Sequence, residues 1–485
     1  MDWQPDHSWR RTSRHEKGRL MSSTILMNIT HGFQARMLLR SRICDDLLSG
    51  GARIVVVSPN ADEGYFQREM GRPGVSLEMM PNSVSRLESE LVGLRQYLLM
   101  NPALGATLNH KNETFRNRHP WRAGAARVGN AILGRVPPLR NGYLRLERHV
   151  FSGKDYEQVL DRYRPSLVVT GTPGYNTQDM HLLRAARRCA VTTATVMLSW
   201  DNLTSKGYMG AMPDFLLVWS DLMAEEGARY HGFPVERIVR VGAAQFDHYC
   251  GFRQRFDRNA WRMAQGLSPG TPLIVYGTIN PAILPHEPQV VSSILRALRH
   301  APLPVHPHLW VRLHPQVVHG DFSTQIEAYR AMASEDVTIE VPKVQSKKLA
   351  WDLPAEDADH LASLLAAADV VVTTSSTLVI DSACAGTPIV NVLFDGDEPV
   401  PAGLAAERFA HYTHYAQILQ TGGIALGRTP EELMTRLAEY LQNPRKDQEG
   451  RERIITQQLG LLDGKAGHRT ANALLRMAAG ARDGM

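Results

Sequence analysis

Residues 368–392 read ADVVVTTSSTLVIDSACAGTPIVNV, and their types imply chemistry more clearly than any other stretch. An apolar strand at Val370–Val372 runs into a hydroxyl-rich turn at Thr373–Thr377. A short helix follows, stopped by Gly386-Thr-Pro388, and then a second apolar strand. Ser375, Ser376 and Thr377 stand where the helix begins, so free backbone N–H groups, hydroxyl donors and the positive dipole end converge there. That is an anion site, suited to a nucleotide phosphate. Thr377 and Asp381 lie four apart on one helix face, so the carboxylate can reach a ribose diol while the turn holds phosphate. The alternative is a capped helix in an α/β domain.

Arg312-Leu-His314-Pro315 ends a predicted strand upstream. Residues two apart project from one strand face, so the guanidinium and imidazole could clamp a phosphate by charge-assisted bonds. Gly277-Thr278 and His286-Glu287 follow the first strand of this half and are expected to face the same ligand.

Asp381-Ser-Ala-Cys-Ala-Gly386-Thr-Pro388 resembles the nucleotide-binding corner of two-domain GT-B glycosyltransferases, with Asp in place of Glu. Many retaining members carry a second Glu eight positions upstream; here that position is Thr373, which favours an inverting enzyme. Arg312-x-His314-Pro315 followed by Ser375-Ser376 resembles bacterial sialyltransferases, Kdo transferases and CDP-glycerol glycerophosphotransferases. In those families the two elements bind the phosphate of a cytidine nucleotide. The resemblance covers mostly residues 271–470, with DGKAG near the end adding to it.

The resemblance implies a GT-B fold, two doubly wound Rossmann-like domains facing a central cleft. It also implies that helix dipoles and side chains, with no metal or other cofactor, stabilise the leaving phosphate. Several inverting GT-B enzymes place a catalytic histidine after the first strand, where this chain has His31-Gly32-Phe33. A sugar hydroxyl must lose a proton as it attacks, and a near-neutral imidazole suits that task. Asp201, in Ser199-Trp200-Asp201-Asn202-Leu203-Thr204-Ser205-Lys206-Gly207, is the rival base, and Trp200 could stack on a sugar ring. Gly171–Asn176 would line the same crevice.

Strands alternate with helical stretches throughout, the pattern of parallel sheets flanked by helices. The expected division is a disordered basic tail at 1–20, a first Rossmann-like, acceptor-side domain at 21–245, a linker at 246–270, a nucleotide-donor domain at 271–455, and a helical tail at 456–485 returning to the first domain. A helical insertion at 105–150 interrupts the first domain. Between Lys111 and Arg148 it holds nine Lys or Arg against two Glu, interleaved with aromatic and aliphatic residues. It reads either as a solvated helical insertion or as a patch for an acceptor or an anionic membrane surface. A net charge of +5 over 485 residues, with no recognition motif, argues against nucleic acid.

No run of 18 apolar residues occurs, and the first 20 residues lack a signal-type apolar stretch. Four scattered cysteines have neither metal nor disulfide spacing, so a reducing cytosol is expected, with peripheral contact at the inner membrane face. Asp395-Gly-Asp397-Glu398 is acidic but lacks paired histidines for a metal. The expected function is transfer of a sugar from a nucleotide-activated donor, cytidine favoured over UDP, to a surface-polysaccharide or lipid-linked glycan acceptor. The alternatives are a CDP-glycerol-type phosphotransferase, a non-hydrolysing nucleotide-sugar 2-epimerase, and a degenerate, non-catalytic scaffold.

Overall fold

The structure, a computed structural model, describes residues 23–480 apart from 82, 83, 100, 119, 152, 269, 302–304 and 321. The basic segment 1–20 lies outside the described residues. The chain forms two wholly parallel sheets. The first contains β1 (Thr24–Asn28), β2 (Arg53–Ser58), β3 (Val75–Met79), β4 (Leu167–Thr170), β5 (Thr192–Val196), β6 (Phe215–Val218) and β7 (Ile238–Arg240), in the order β3-β2-β1-β4-β5-β6-β7. The second contains β8 (Leu273–Gly277), β9 (His308–Arg312), β10 (Val337–Glu340), β11 (Val370–Thr373), β12 (Ile389–Val392) and β13 (Ala425–Gly427), in the order β10-β9-β8-β11-β12-β13.

Helices cover both faces of each sheet, so the central strands are nearly continuous apolar runs; β4, β8, β11 and β12 are buried along their whole length. In each sheet the winding direction reverses beside the first strand. The two switch points therefore fall between β1 and β4 and between β8 and β11, and a ligand crevice opens beyond their carboxyl ends.

Three further segments join the halves. Helix Ala466–Gly480 returns to helix Arg42–Ser49, placing Ala471, Leu474 and Ala478 in the core of the first sheet. Its N-terminus is capped by Asp247, which accepts from the Ala466 and Gly467 N–H groups at 3.0 and 2.8 Å. The segment after β10 carries Asp352 into the first half, where the fully buried carboxylate pairs with Arg40 at 2.7 Å and accepts from the Tyr65 hydroxyl.

The third is helix Gly105–Arg118 of the insertion. Thr107 shares a 2.9 Å hydroxyl bond with Thr413 of the second half, and the His110 ring stacks on His411. Lys111 is half-buried and donates to the Ser205 carbonyl. This corrects the reading of 111–148 as one surface patch. Its far end, helices Pro120–Leu133 and Pro137–Val150, presents apolar side chains to solvent: Val128, Ile132, Val136, Leu139 and Leu146.

Candidate functional site

The carboxyl ends of β8, β9 and β11 lie side by side, and the anticipated donor residues stand on them. Gly277 closes β8. Thr278 ties the next two loops together: its N–H donates to the Arg312 carbonyl at 3.0 Å, and its hydroxyl accepts the His314 N–H at 2.8 Å. The Thr373 hydroxyl donates to the Gly277 carbonyl at 2.8 Å. Ser375, Ser376 and Thr377 follow β11 and lead into helix Leu378–Ala385. The Leu378 N–H donates to Ser376 Oγ at 3.2 Å, and Thr377 is exposed. Asp381 is buried behind this turn, accepting from the Tyr249 hydroxyl at 3.0 Å; burial pushes its carboxyl up to about 6.

Three expectations for this half do not hold in the geometry. Arg312 is buried between two carboxylates, pairing with Glu340 and with Asp357 at 2.6 Å, so its guanidinium is occupied before any phosphate arrives. Glu287 turns inward and accepts the Ile279 N–H at 3.0 and 3.1 Å, with burial raising its carboxyl to about 8. His286 bonds Asp395 at 2.8 Å. Both therefore brace loops. Among the described residues, no three His, Cys, Asp or Glu side chains group as a metal site would require.

In the first half, the loops after β1 and β4 are joined through Asp179. Its buried carboxylate accepts from Asn28, Gln34, Thr172 and Asn176. The held loop presents His31, whose ring caps the following turn: the Phe33 N–H donates to Nδ1 at 3.2 Å. A lone pair at Nδ1 puts the proton of the neutral ring on Nε2. Burial, with His319 and Lys206 nearby, lowers the ring to about 4, so it is neutral at pH 7. As placed, His31 offers Nε2–H as a donor; the expected base would need the opposite tautomer. His314 repeats the arrangement, its Nδ1 accepting the Gln316 N–H at 3.0 Å and its ring lowered to about 3 by burial and by His31.

Trp351 joins them. Its indole meets His31, His314 and Phe33 edge-on, with centroid separations of 4.6, 4.7 and 5.1 Å. The indole N–H donates to Gln316 Oε1, and the backbone N–H donates to His319 Nε2 at 3.1 Å. Trp351 adopts φ +58°, a left-handed conformation that is strained for a bulky residue. Gly32 packs directly beneath: a Cβ there would lie 2.2 Å from the Trp351 carbonyl oxygen.

The rival base, Asp201, faces a different group. It accepts from the Ser199 and Ser205 hydroxyls at 2.6 and 2.7 Å and lies 3.9 Å from Lys206. Burial would raise this carboxyl, but Lys206, His414 and the two hydroxyls outweigh it and hold it below the usual carboxylate range. A carboxylate so stabilised is a weak base and a good anchor. Trp200 is buried against His414 and Tyr415, so it does not offer a face to a sugar ring.

Between the halves lies a cavity of about 500 Å³, lined by Arg36, Gln245, His248, Trp351 and Asp357 among others. Gln245 Oε1, His248 Nε2 and Asp357 Oδ2 are buried there without hydrogen-bond partners. Arg36 belongs to a single π-helical turn, Ala35–Leu39, and makes no ion pair among the described residues. Such turns are rare and occur frequently at functional sites. Position 36 opens the helix after the first strand. Nothing local pointed to Gln245, His248, Trp351 or Asp357.

No protein-family model matches this chain, and no curated protein matches it. Solved structures do share its fold. The UDP-GlcNAc 2-epimerase from Neisseria meningitidis bound to UDP-GlcNAc superposes with a TM-score of 0.53 at 11% identity, covering 93% of this chain and 100% of that one. A structure described as a putative UDP-N-acetylglucosamine 2-epimerase from Listeria monocytogenes gives 0.55 at 11% identity, with 94% and 95% covered. A glycosyltransferase from Rickettsia africae gives 0.50 at 11%, with 95% and 99% covered. The chain has the GT-B fold, two Rossmann-like domains facing a cleft.

Proposed function

We propose that this protein is a GT-B glycosyltransferase that moves a sugar from a nucleotide-activated donor, cytidine preferred over UDP, to a surface-polysaccharide or lipid-linked glycan acceptor, with inversion. The observation that carries this reading is that the carboxyl ends of β8, β9 and β11, the last of which leads into the Ser375–Thr377 turn, lie side by side, while His314 after β9 faces His31 of the other half across Trp351. The turn would hold the donor phosphates, with Asp381 near the ribose. His31 and His314, both neutral, would donate to the oxygen that gains charge as the phosphate leaves, the kind of preorganised stabilisation that dominates many enzymes. Asp201 would hold the acceptor-side loop in place.

A second reading, a non-hydrolysing nucleotide-sugar 2-epimerase, is favoured by the names of several fold relatives. One experiment separates the two. The protein is incubated with CDP- and UDP-sugars, with and without a lipid-linked acceptor, and followed by NMR. Nucleotide release that requires acceptor supports transfer. A new C2 epimer without acceptor supports epimerisation, and no reaction with any donor removes both.

The acceptor side is proposed to rest on an anionic membrane. Val128, Ile132, Val136, Leu139 and Leu146 are exposed between exposed Arg127, Arg135 and Arg145, and Glu147, the one acidic residue of 120–150, is turned inward against Arg184 at 3.0 Å. Apolar side chains among uncompensated arginines suit an anionic lipid interface. No helix among the described residues is long and apolar enough to cross a membrane.

A further inference from the structure

The insertion holds the loop that follows β5 from outside. In helix Pro137–Val150, Arg140, Tyr143, Leu144 and Glu147 recur at helical spacing and turn toward the protein, whereas Leu139 and Leu146 stand on a side exposed to solvent. Arg140 donates to the Tyr208 hydroxyl at 2.8 Å, and its guanidinium lies over the Tyr208 ring, 4.3 Å from the centroid. That is a cation–π contact as well as a hydrogen bond. Earlier in the same loop, the Ser205 carbonyl accepts from Lys111 of helix Gly105–Arg118. Lys206, the lysine that neighbours both Asp201 and His31, stands in the chain between these two grips.

The same insertion reaches the second half. Thr107 is fully buried, and its hydroxyl accepts the Thr413 N–H at 2.9 Å while sharing a second 2.9 Å bond with the Thr413 hydroxyl. His110 stacks on His411 with centroids 5.3 Å apart. One position beyond Thr413, His414 shares a 3.3 Å bond with the Thr204 hydroxyl, so loop, insertion and segment 411–414 close a ring of contacts. The lipid-facing residues are divided between two helices, Val128 and Ile132 on one, Leu139 and Leu146 on the other. A bilayer that takes up all four favours one mutual arrangement of these helices, the one that aims Arg140 at Tyr208. Differential contact of this kind is what lets a ligand shift a conformational equilibrium. We propose that the insertion is a lipid-operated positioning element: contact of its far end with an anionic bilayer steadies the Ser199–Tyr208 loop through Arg140 and Lys111, and the second half through Thr107. The inference rests on the membrane reading of this face and adds what lipid contact does to the cleft. Arg140 acts only through Tyr208 and is a positioning residue.

Hydrogen–deuterium exchange on the full chain tests it, alongside vesicle sedimentation. The arms are vesicles of equal phosphatidylglycerol and phosphatidylcholine, vesicles of phosphatidylcholine alone, and no lipid. The anionic vesicles should slow amide exchange in 199–208 and 411–415 by about tenfold, and phosphatidylcholine alone should not. Leu139→Glu with Leu146→Glu should lose sedimentation and protection together. Arg140→Ala should sediment like wild type yet lose the protection of 199–208, and Arg140→Lys, which keeps a cation over the ring, should restore part of it. Tyr208→Leu removes the same contact from the other side and should match Arg140→Ala, which keeps the test open if either variant misfolds. Thr107→Val should release 411–415 while 199–208 stays protected. Vesicles that sediment the protein without slowing exchange in either segment would overturn the inference and leave the membrane reading standing. Protection of 199–208 that survives in both Arg140→Ala and Tyr208→Leu would overturn it too. No sedimentation of wild type would remove the membrane reading and the inference with it.

Discussion

His31 and His314, from opposite sheets, meet one indole edge-on, with ring centroids 4.6 and 4.7 Å from Trp351. Each accepts a backbone N–H at Nδ1, so each is fixed with its proton on Nε2. A pair of neutral donors thus spans the cleft, held by a residue that neither histidine's own sequence neighbourhood reveals.

The donor role of His31 can be told from a base role by pH. With its ring lowered to about 4, a donor His31 stays in one state from pH 5.5 to 8, so turnover should show no histidine inflection in that range. His31→Ala should lower kcat by ~10²–10³-fold, the effect of losing one preorganised donor. Donor affinity should barely change, and Asp201→Asn should be milder, both measured at saturating acceptor. An inflection near 6.5 lost in His31→Ala would restore the base assignment, and an inactive Asp201→Asn beside an active His31→Ala would give that role to Asp201.

The phosphate turn should be separable from folding. Ser376→Ala combined with His314→Ala is expected to abolish detectable nucleotide binding in a thermal-shift assay while the melting temperature without ligand stays close to wild type. Wild-type affinity in the double variant would remove the turn from the donor site.

Gly32 should tolerate no side chain. In Gly32→Ala the new Cβ meets the Trp351 carbonyl oxygen at 2.2 Å, and backbone on both sides must yield. Overpacking of this kind costs about 1–3 kcal/mol, read from urea unfolding, and should weaken nucleotide-sugar binding as well. An unperturbed variant would mean that segment 349–352 is loosely seated.

Burial makes stability depend on pH in a definite direction. Glu287 binds its proton more tightly folded than unfolded, about 8 against 4.5, so its protonation stabilises the native state fully below about pH 4.5 and this contribution is lost as pH rises through about 8. Glu287→Gln should therefore flatten the fall in melting temperature between pH 5 and 8. A slope identical to wild type would show that Glu287 is already ionised in the folded protein.

The far end of the insertion, around Val136 and Leu139, should bind lipid. Val136→Glu with Leu139→Glu should reduce sedimentation with anionic vesicles, and raised salt should weaken the wild-type interaction. Salt-insensitive behaviour, or no vesicle binding by wild type, would leave the tip as ordinary surface.

Much of the fold was legible because buried parallel strands are unbroken apolar runs: Val370–Val372 announces β11 directly. The edge strands β3 and β13 were not, being short and half-exposed, VSLEM and ALG. The phosphate turn could be read because a strand, its hydroxyls and its helix are contiguous. Arg312 misled because the carboxylates that occupy it, Glu340 and Asp357, are 28 and 45 residues away. Lys111 misled similarly: in a basic segment it reads as surface, yet it faces Ser205, 94 residues on. Trp351 gave no signal, since its ring partners His31 and Phe33 lie in the other half and His314 and Gln316 stand more than thirty residues upstream.

Asp352 turns the meeting of the halves into a clasp. Its carboxylate is fully buried on Arg40 and Tyr65 of the opposite half, and Lys348, beside it, reaches Asp62 at 3.0 Å. Parting the halves must rehydrate that carboxylate and break its bond to Arg40, which keeps its pair with Glu69 of its own half at 2.7 Å. If the cleft must open for exchange, weakening this clasp should favour the open arrangement at the expense of the enclosed one.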